Sequence, residues 1–173
     1  MTASLSEDAE RLLTFEVEST AYALPIAEIR EVAEATRICC VPTISRALVG
    51  VMNWHGGALP VVSTTLLLDS REDIGEFEAD AEEDSGASRD DKPSKDASGL
   101  AGAHVLVVSS RDDESGQLGF PIDRVIGLVD GSRCRRGLGK LVVERRPVEG
   151  RVVNVLDPRR LIERAIEVIE HAT

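Results

Sequence analysis

Between residues 70 and 103 the chain offers almost nothing that can pack. The run Glu76-Phe77-Glu78-Ala79-Asp80-Ala81-Glu82-Glu83-Asp84-Ser85-Gly86-Ala87-Ser88 sets one large apolar side chain among acids and small residues. So little apolar surface does not offset the roughly 1–2 kcal/mol per residue that ordering a backbone costs. The composition therefore predicts a disordered acidic insertion. Because the entropy of closing a loop grows slowly with its length, such an insertion is tolerable inside a folded unit. Whatever core this 173-residue chain builds must come from the two flanks.

Both flanks carry the two-residue period of strands with one face buried. Leu13, Phe15 and Val17 alternate with Thr14, Glu16 and Glu18, and Ser19-Thr20 can turn the strand back into Tyr22-Ala23-Leu24. Pro25 to Val32 fits a strand or a helical turn equally well. Pro42 to Leu48 reads as a turn with a short helix. Val49 to Trp54 and Ala58 to Val62 read as strands joined by His55-Gly56-Gly57, with glycines where positive φ is wanted. Leu66-Leu67-Leu68 closes this flank. In the second flank, Val105 to Val108, Gln117 to Ile122, Asp123 to Val129 and Arg151 to Leu156 are the candidate strands. A C-terminal helix is expected over 157–171, with Asp157 as its cap and Pro158 at its first position, where a missing N–H costs nothing. Leu161, Ile162, Ala165, Ile166 and Ile169 form its apolar stripe. Many short strands between turn signals, with one terminal helix, indicate small β-barrels.

Charge and composition exclude several classes. The net charge is −11, and residues 69–98, with 12 acidic and 4 basic side chains, carry −8 of it, leaving −3 elsewhere. That balance argues against phosphate-backbone binding by the chain as a whole. The alternative reading, a nucleic-acid-binding β-barrel, rests on a basic loop at 133–146, which holds 6 basic residues against 1 acidic but lacks interleaved aromatics for stacking bases. No apolar run is long enough to cross a membrane. Residues 1–11, expected to be flexible, put acid where a signal peptide has positive charge, so a cytoplasmic protein is expected. Cys39, Cys40 and Cys134 lack the spacing of metal ligands or a disulfide framework, and His55, His104 and His171 are scattered. No paired nucleophile and base and no phosphate loop is visible, so no catalytic, cofactor or metal site is expected.

Several segments in order resemble one family. Leu13-Thr14-Phe15-Glu16-Val17, Tyr22-Ala23-Leu24-Pro25-Ile26 leading to Ile29-Arg30-Glu31-Val32, Val49-Gly50-Val51-Met52-Asn53-Trp54-His55-Gly56, Gly119-Phe120-Pro121-Ile122-Asp123-Arg124-Val125 and Gly150-Arg151-Val152-Val153-Asn154-Val155-Leu156-Asp157 resemble the CheW family over about residues 12–165, apart from the insertion. The resemblance implies a mainly β fold of two five-stranded Src-homology-type β-barrels packed together with a C-terminal helix. It implies a non-catalytic adaptor that couples methyl-accepting chemoreceptors to a chemotaxis histidine kinase, at receptor arrays on the inner face of the membrane, with no nucleic acid and no membrane insertion. By the same resemblance the receptor-facing groove lies between the barrels, and Ile29, Glu31, Trp54, His55 and Val105 are its candidate contacts. His55 stands where the family usually has an arginine. An imidazole lacks the permanent charge and bidentate fork of a guanidinium, so Trp54 beside it is expected to supply apolar contact instead.

Overall fold

The computed structural model describes residues 10–35, 37–41, 46–68, 103–109, 117–131 and 140–170. The insertion, the extreme N-terminus, most of the Pro42 to Leu48 segment, and the stretch 132–139 with Cys134 lie outside them. The described residues form two antiparallel-rich sheets and a C-terminal helix. Strands β1 (Glu10–Val17), β2 (Thr20–Pro25), β9 (Arg124–Gly131), β10 (Val142–Val148) and β11 (Arg151–Leu156) make a five-stranded sheet in the order β10-β11-β2-β1-β9. Strands β3 (Ile29–Glu34), β4 (Ile38–Cys39), β5 (Leu48–Trp54), β6 (Gly57–Val62), β7 (His104–Ser109) and β8 (Gln117–Ile122) make a second, in the order β3-β7-β8-β6-β5-β4.

Without the two-residue β4, the second sheet repeats the first. In each, a hairpin (β10/β11, β5/β6) meets a second hairpin (β2/β1, β8/β7) through a parallel contact, β11 with β2 and β6 with β8, and the second hairpin carries an antiparallel outer strand, β9 or β3. The expectation of two five-stranded units is met by this repeat, with β4 added to one of them. Among the described residues neither unit closes by a continuous ladder. The five-stranded sheet curls until its outer strands are bridged by a side chain, Arg146 Nη1 on β10 donating to the Asp130 carbonyl of β9 at 3.1 Å; in the second sheet Trp54 Nε1 on β5, the strand inside β4, donates to Glu31 on the outer β3 at 2.9 Å. Each unit also draws strands from both sides of the insertion, so the insertion interrupts the sequence without separating the units.

The alternation within strands sorts side chains into three apolar clusters. Along β1, Leu13, Phe15 and Val17 point into a core between the sheets, while Leu12 joins Ala21, Ala23, Val153 and Val155 inside the first unit. Along β7, Leu106 and Val108 enter the shared core, and Val105 and Val107 pack with Met52, Leu59 and Val61 inside the second. A strand buried on both faces has to be apolar throughout, which is why β7 reads as a run rather than an alternation. Buried hydroxyls are satisfied: Thr14 Oγ1 donates to the Gly127 carbonyl at 2.9 Å and Thr64 Oγ1 to that of Pro121 at 2.6 Å.

The segment Pro25 to Val32 is both things its pattern allowed, a 3-10 turn at Ile26–Glu28 followed by β3. Leu66-Leu67-Leu68 belongs to α1 (Thr64–Leu68), which buries Leu67 against the shared core. Leu48, expected at the end of a short helix, opens β5 instead. Residues 142–146, expected as part of a basic loop, lie in β10. The terminal helix α2 spans Pro158–Glu170, and Asp157 Oδ1 accepts from the Arg159 and Arg160 amides at 3.0 and 3.3 Å. Leu161, Ile162 and Ala165 are buried, but Ile166 faces water at 44% exposure; Val168 and Ile169 carry the stripe onward.

Candidate functional site

The β5–β6 hairpin ends in a two-residue loop, His55-Gly56, with both residues in the left-handed region at φ +48° and +84°. Such loops match the twist of the flanking strands and tolerate glycine without penalty, whereas His55 holds its conformation at some cost. Asn53 Oδ1 accepts from the Gly56 amide at 2.9 Å and braces the turn. The turn thereby lifts Trp54 and His55 toward β3. There, a register shift against β7 between Ile29 and Glu31 bulges the strand at Arg30, whose Nε donates to Ser109 Oγ at 2.6 Å. Bulges re-aim neighbouring side chains.

At this meeting point one carboxylate oxygen, Glu31 Oε2, takes two hydrogen bonds, from Trp54 Nε1 at 2.9 Å and from His55 at 2.7 Å. An ionised carboxylate has no proton to give, so His55 is the donor through Nε2. The two rings meet edge to face, with centroids 4.7 Å apart and planes at 75°. The bond from His55, then that from Trp54, holds the Glu31 carboxyl below the usual glutamate value. His55 is two-thirds exposed and Glu31 about two-fifths, so the cluster is a surface feature. Trp54 is half-buried, its ring against the interior of the second unit.

The structure thus brings three of the five candidate residues together. Ile29 is half-buried and packs on the shared core. Val105 is wholly buried inside the second unit, where it presents no side-chain surface to a partner. It fills the space over Gly119, at which a Cβ would stand 2.8 Å from Val105 Cγ1. The indole bond to Glu31 is what residue reading missed: Trp54 was expected as an apolar anchor, and its N–H is engaged.

A second polar cluster had no signal in the sequence. Glu16 on β1 receives Nε and Nη2 of Arg124 at 3.2 and 2.8 Å and Nη1 of Arg151 at 3.4 Å. The hydrogen bond from Arg124 lowers the Glu16 carboxyl, and Glu16 in turn raises the Arg124 guanidinium. Beside it, at the join of the sheets, a cavity of about 180 Å³ is lined by Val17, Glu18, Thr64, Ile122 and Asp123, among others, and by none of the five candidate residues. Of the basic stretch, Arg146 is paired with Glu144 at 2.9 Å as well as with the Asp130 carbonyl. Cys39 and Cys40 are exposed free thiols. Among the described residues no group of three or more His, Cys, Asp or Glu is placed to hold a metal ion, and no helix is long and apolar enough to cross a membrane.

Two curled sheets of repeated topology, joined through a shared core and capped by a terminal helix, define a paired Src-homology-type β protein whose surface polar cluster sits at a hairpin tip. The chain belongs to the CheW-like domain family, whose model matches residues 11–165. Among solved structures it is similar to the scaffolding protein TtCheW from Thermoanaerobacter tengcongensis, with a TM-score of 0.57 over 86% of this chain and 89% of that one, at 14% identity. A search of curated proteins found no match.

Proposed function

We propose that this protein is a non-catalytic adaptor that couples chemoreceptors to a histidine kinase, and that the Glu31–Trp54–His55 cluster is part of its receptor-binding surface. Membership of the CheW-like family over residues 11–165 carries the reading. The cluster supports it chemically: a surface carboxylate, an imidazole and the rim of an indole, held by a tight turn against an outer strand, offer polar recognition next to apolar area. Ile29, two residues from Glu31 on β3, is half-buried against the shared core. The adaptor works in the cytoplasm, at receptor arrays on the inner face of the membrane.

Calorimetric titration with the signalling tip of a chemoreceptor tests this. Trp54→Ala is expected to weaken binding by about 1 to 2 kcal/mol. His55→Arg keeps the fold and changes the affinity measurably, because a guanidinium brings permanent charge and a bidentate fork to Glu31. If both variants bind as the parent does, the hairpin is not in the interface. If no receptor or kinase fragment binds the parent, the adaptor reading itself falls.

A further inference from the structure

Strand β9 pairs with β1 along one side, and no strand among the described residues pairs with the other. Natural edges of this kind are usually short, charged or covered. β9 runs for eight residues and shows Val125, Ile126 and Leu128 to water, at 38%, 40% and 50% exposure. Val125 lies opposite Phe15 and Leu128 opposite Leu13, so this apolar strip extends the face of the shared core past the last strand.

The strand is also complementary to itself. Counting outward from Gly127, Ile126 and Leu128 are one step away, Val125 and Val129 two, and Arg124 and Asp130 three. A second β9 laid antiparallel and centred on Gly127 therefore sets Ile126 against Leu128 and Arg124 against Asp130, and does so twice. A two-fold interface requires this property, since each copy must fit its own surface. The charges at the ends are exposed, Arg124 at 57% and Asp130 at 83%. Within its own chain Arg124 is paired with Glu16, and Asp130 lies 3.8 Å from Arg11. Docking lines up Glu16, Arg124, the partner's Asp130 and the partner's Arg11 in a row of alternating sign. At the centre, a Cβ on Gly127 would have no heavy atom within 4 Å, so a side chain introduced at the axis is unhindered by its own chain.

We infer that two copies of this chain associate by pairing β9 with β9, antiparallel across a two-fold axis at Gly127. The contact is independent of the receptor surface proposed above. A register shift next to Phe15 and the Arg146 bond on the Asp130 carbonyl keep the ladder short, so association is reversible, concentration-dependent and weakened by salt.

On a two-fold axis a residue meets its own copy. In the full chain with Cys39, Cys40 and Cys134 changed to Ser, Gly127→Cys is expected to give a covalent dimer under a mild disulfide-forming oxidant. Val152→Cys, at 60% exposure on β11, serves as the control and stays monomeric. In sedimentation equilibrium the unmodified chain rises toward twice the monomer mass with concentration, and Leu128→Lys and Asp130→Lys each weaken this by about tenfold while leaving the thermal midpoint in place. The proposal is overturned if the parent stays monomeric at every concentration, if Gly127→Cys cross-links no faster than Val152→Cys, or if Leu128→Lys dimerises like the parent. Protection of the β9 amides only after a receptor or kinase fragment is added would assign the edge to that partner and equally overturn it.

Discussion

Glu31 joins the outer strand of the second sheet to a hairpin tip with which, among the described residues, it shares no backbone ladder, by collecting two donors on one oxygen. This bond depends on the charge of a carboxyl held below its ordinary value of 4.5. In the unfolded chain the same group has that ordinary value, so on acidification the unfolded form takes up its proton first. The stability Glu31 contributes is complete above the ordinary value and is lost as pH falls through the lowered one. Glu31→Gln removes this share, so its urea midpoint should lie below the parent's at neutral pH, with the gap closing in acid. A gap of constant size across that range would show that the charge is not what stabilises the seam. The pairing of Glu31 and His55 was within reach of the sequence, since the family resemblance named both. The indole bond was not, because a two-residue period gives the face of Trp54 and says nothing about which atom of another strand lies beneath it.

At the scale of elements, three hairpins share one device. Glu18-Ser19, His55-Gly56 and Glu149-Gly150 are two-residue loops with both residues at positive φ. Only the first has no glycine, although the Glu18 amide is steadied by Asp123 Oδ2 at 2.7 Å. Ser19 sits at φ +68°, where an L side chain is strained and glycine is not. Ser19→Gly is therefore expected to stabilise the protein by roughly 0.5–1 kcal/mol, read as a higher midpoint in chemical denaturation. A lower midpoint would mean that the greater freedom of the unfolded glycine outweighs the relief of strain. The turns at Ser19 and Gly56 and the Asp157 cap were legible because their chemistry is local. Leu48, which opens β5, and residues 142–146, which lie in β10, were misassigned for the opposite reason. Pairing with β6 and β11 decides those segments, and neither partner is visible from the segment itself.

For the whole molecule, the decisive fact is that each unit is assembled from both sides of the insertion. The parallel contacts β11 with β2 and β6 with β8 join segments that a cut between residues 70 and 103 would separate. Limited proteolysis should cleave there first, as the composition predicts, and the two fragments should still co-elute in native buffer and part only in denaturant. Replacing the insertion with a short Gly-Ser link should leave the thermal midpoint nearly unchanged. Fragments that separate in native buffer would contradict the interleaved topology, and a loss of several degrees on replacement would show that the insertion packs.

Taken alone, the sequence determined the β class, most strand positions, the turns at Ser19 and Gly56 and the capped terminal helix. Each of these follows from contacts between residues near one another in the chain, where alternation, glycine and proline act directly. Only the tertiary structure decided that the same strand order is used twice, that Val105 lies inside while Glu31, Trp54 and His55 meet at the surface, and that among the described residues one side of β9 is left without a strand partner. Those outcomes depend on which strands become neighbours across more than a hundred residues of sequence. Many apolar alternating strands fit one another equally well locally, so the choice is made by the shared core they must bury together.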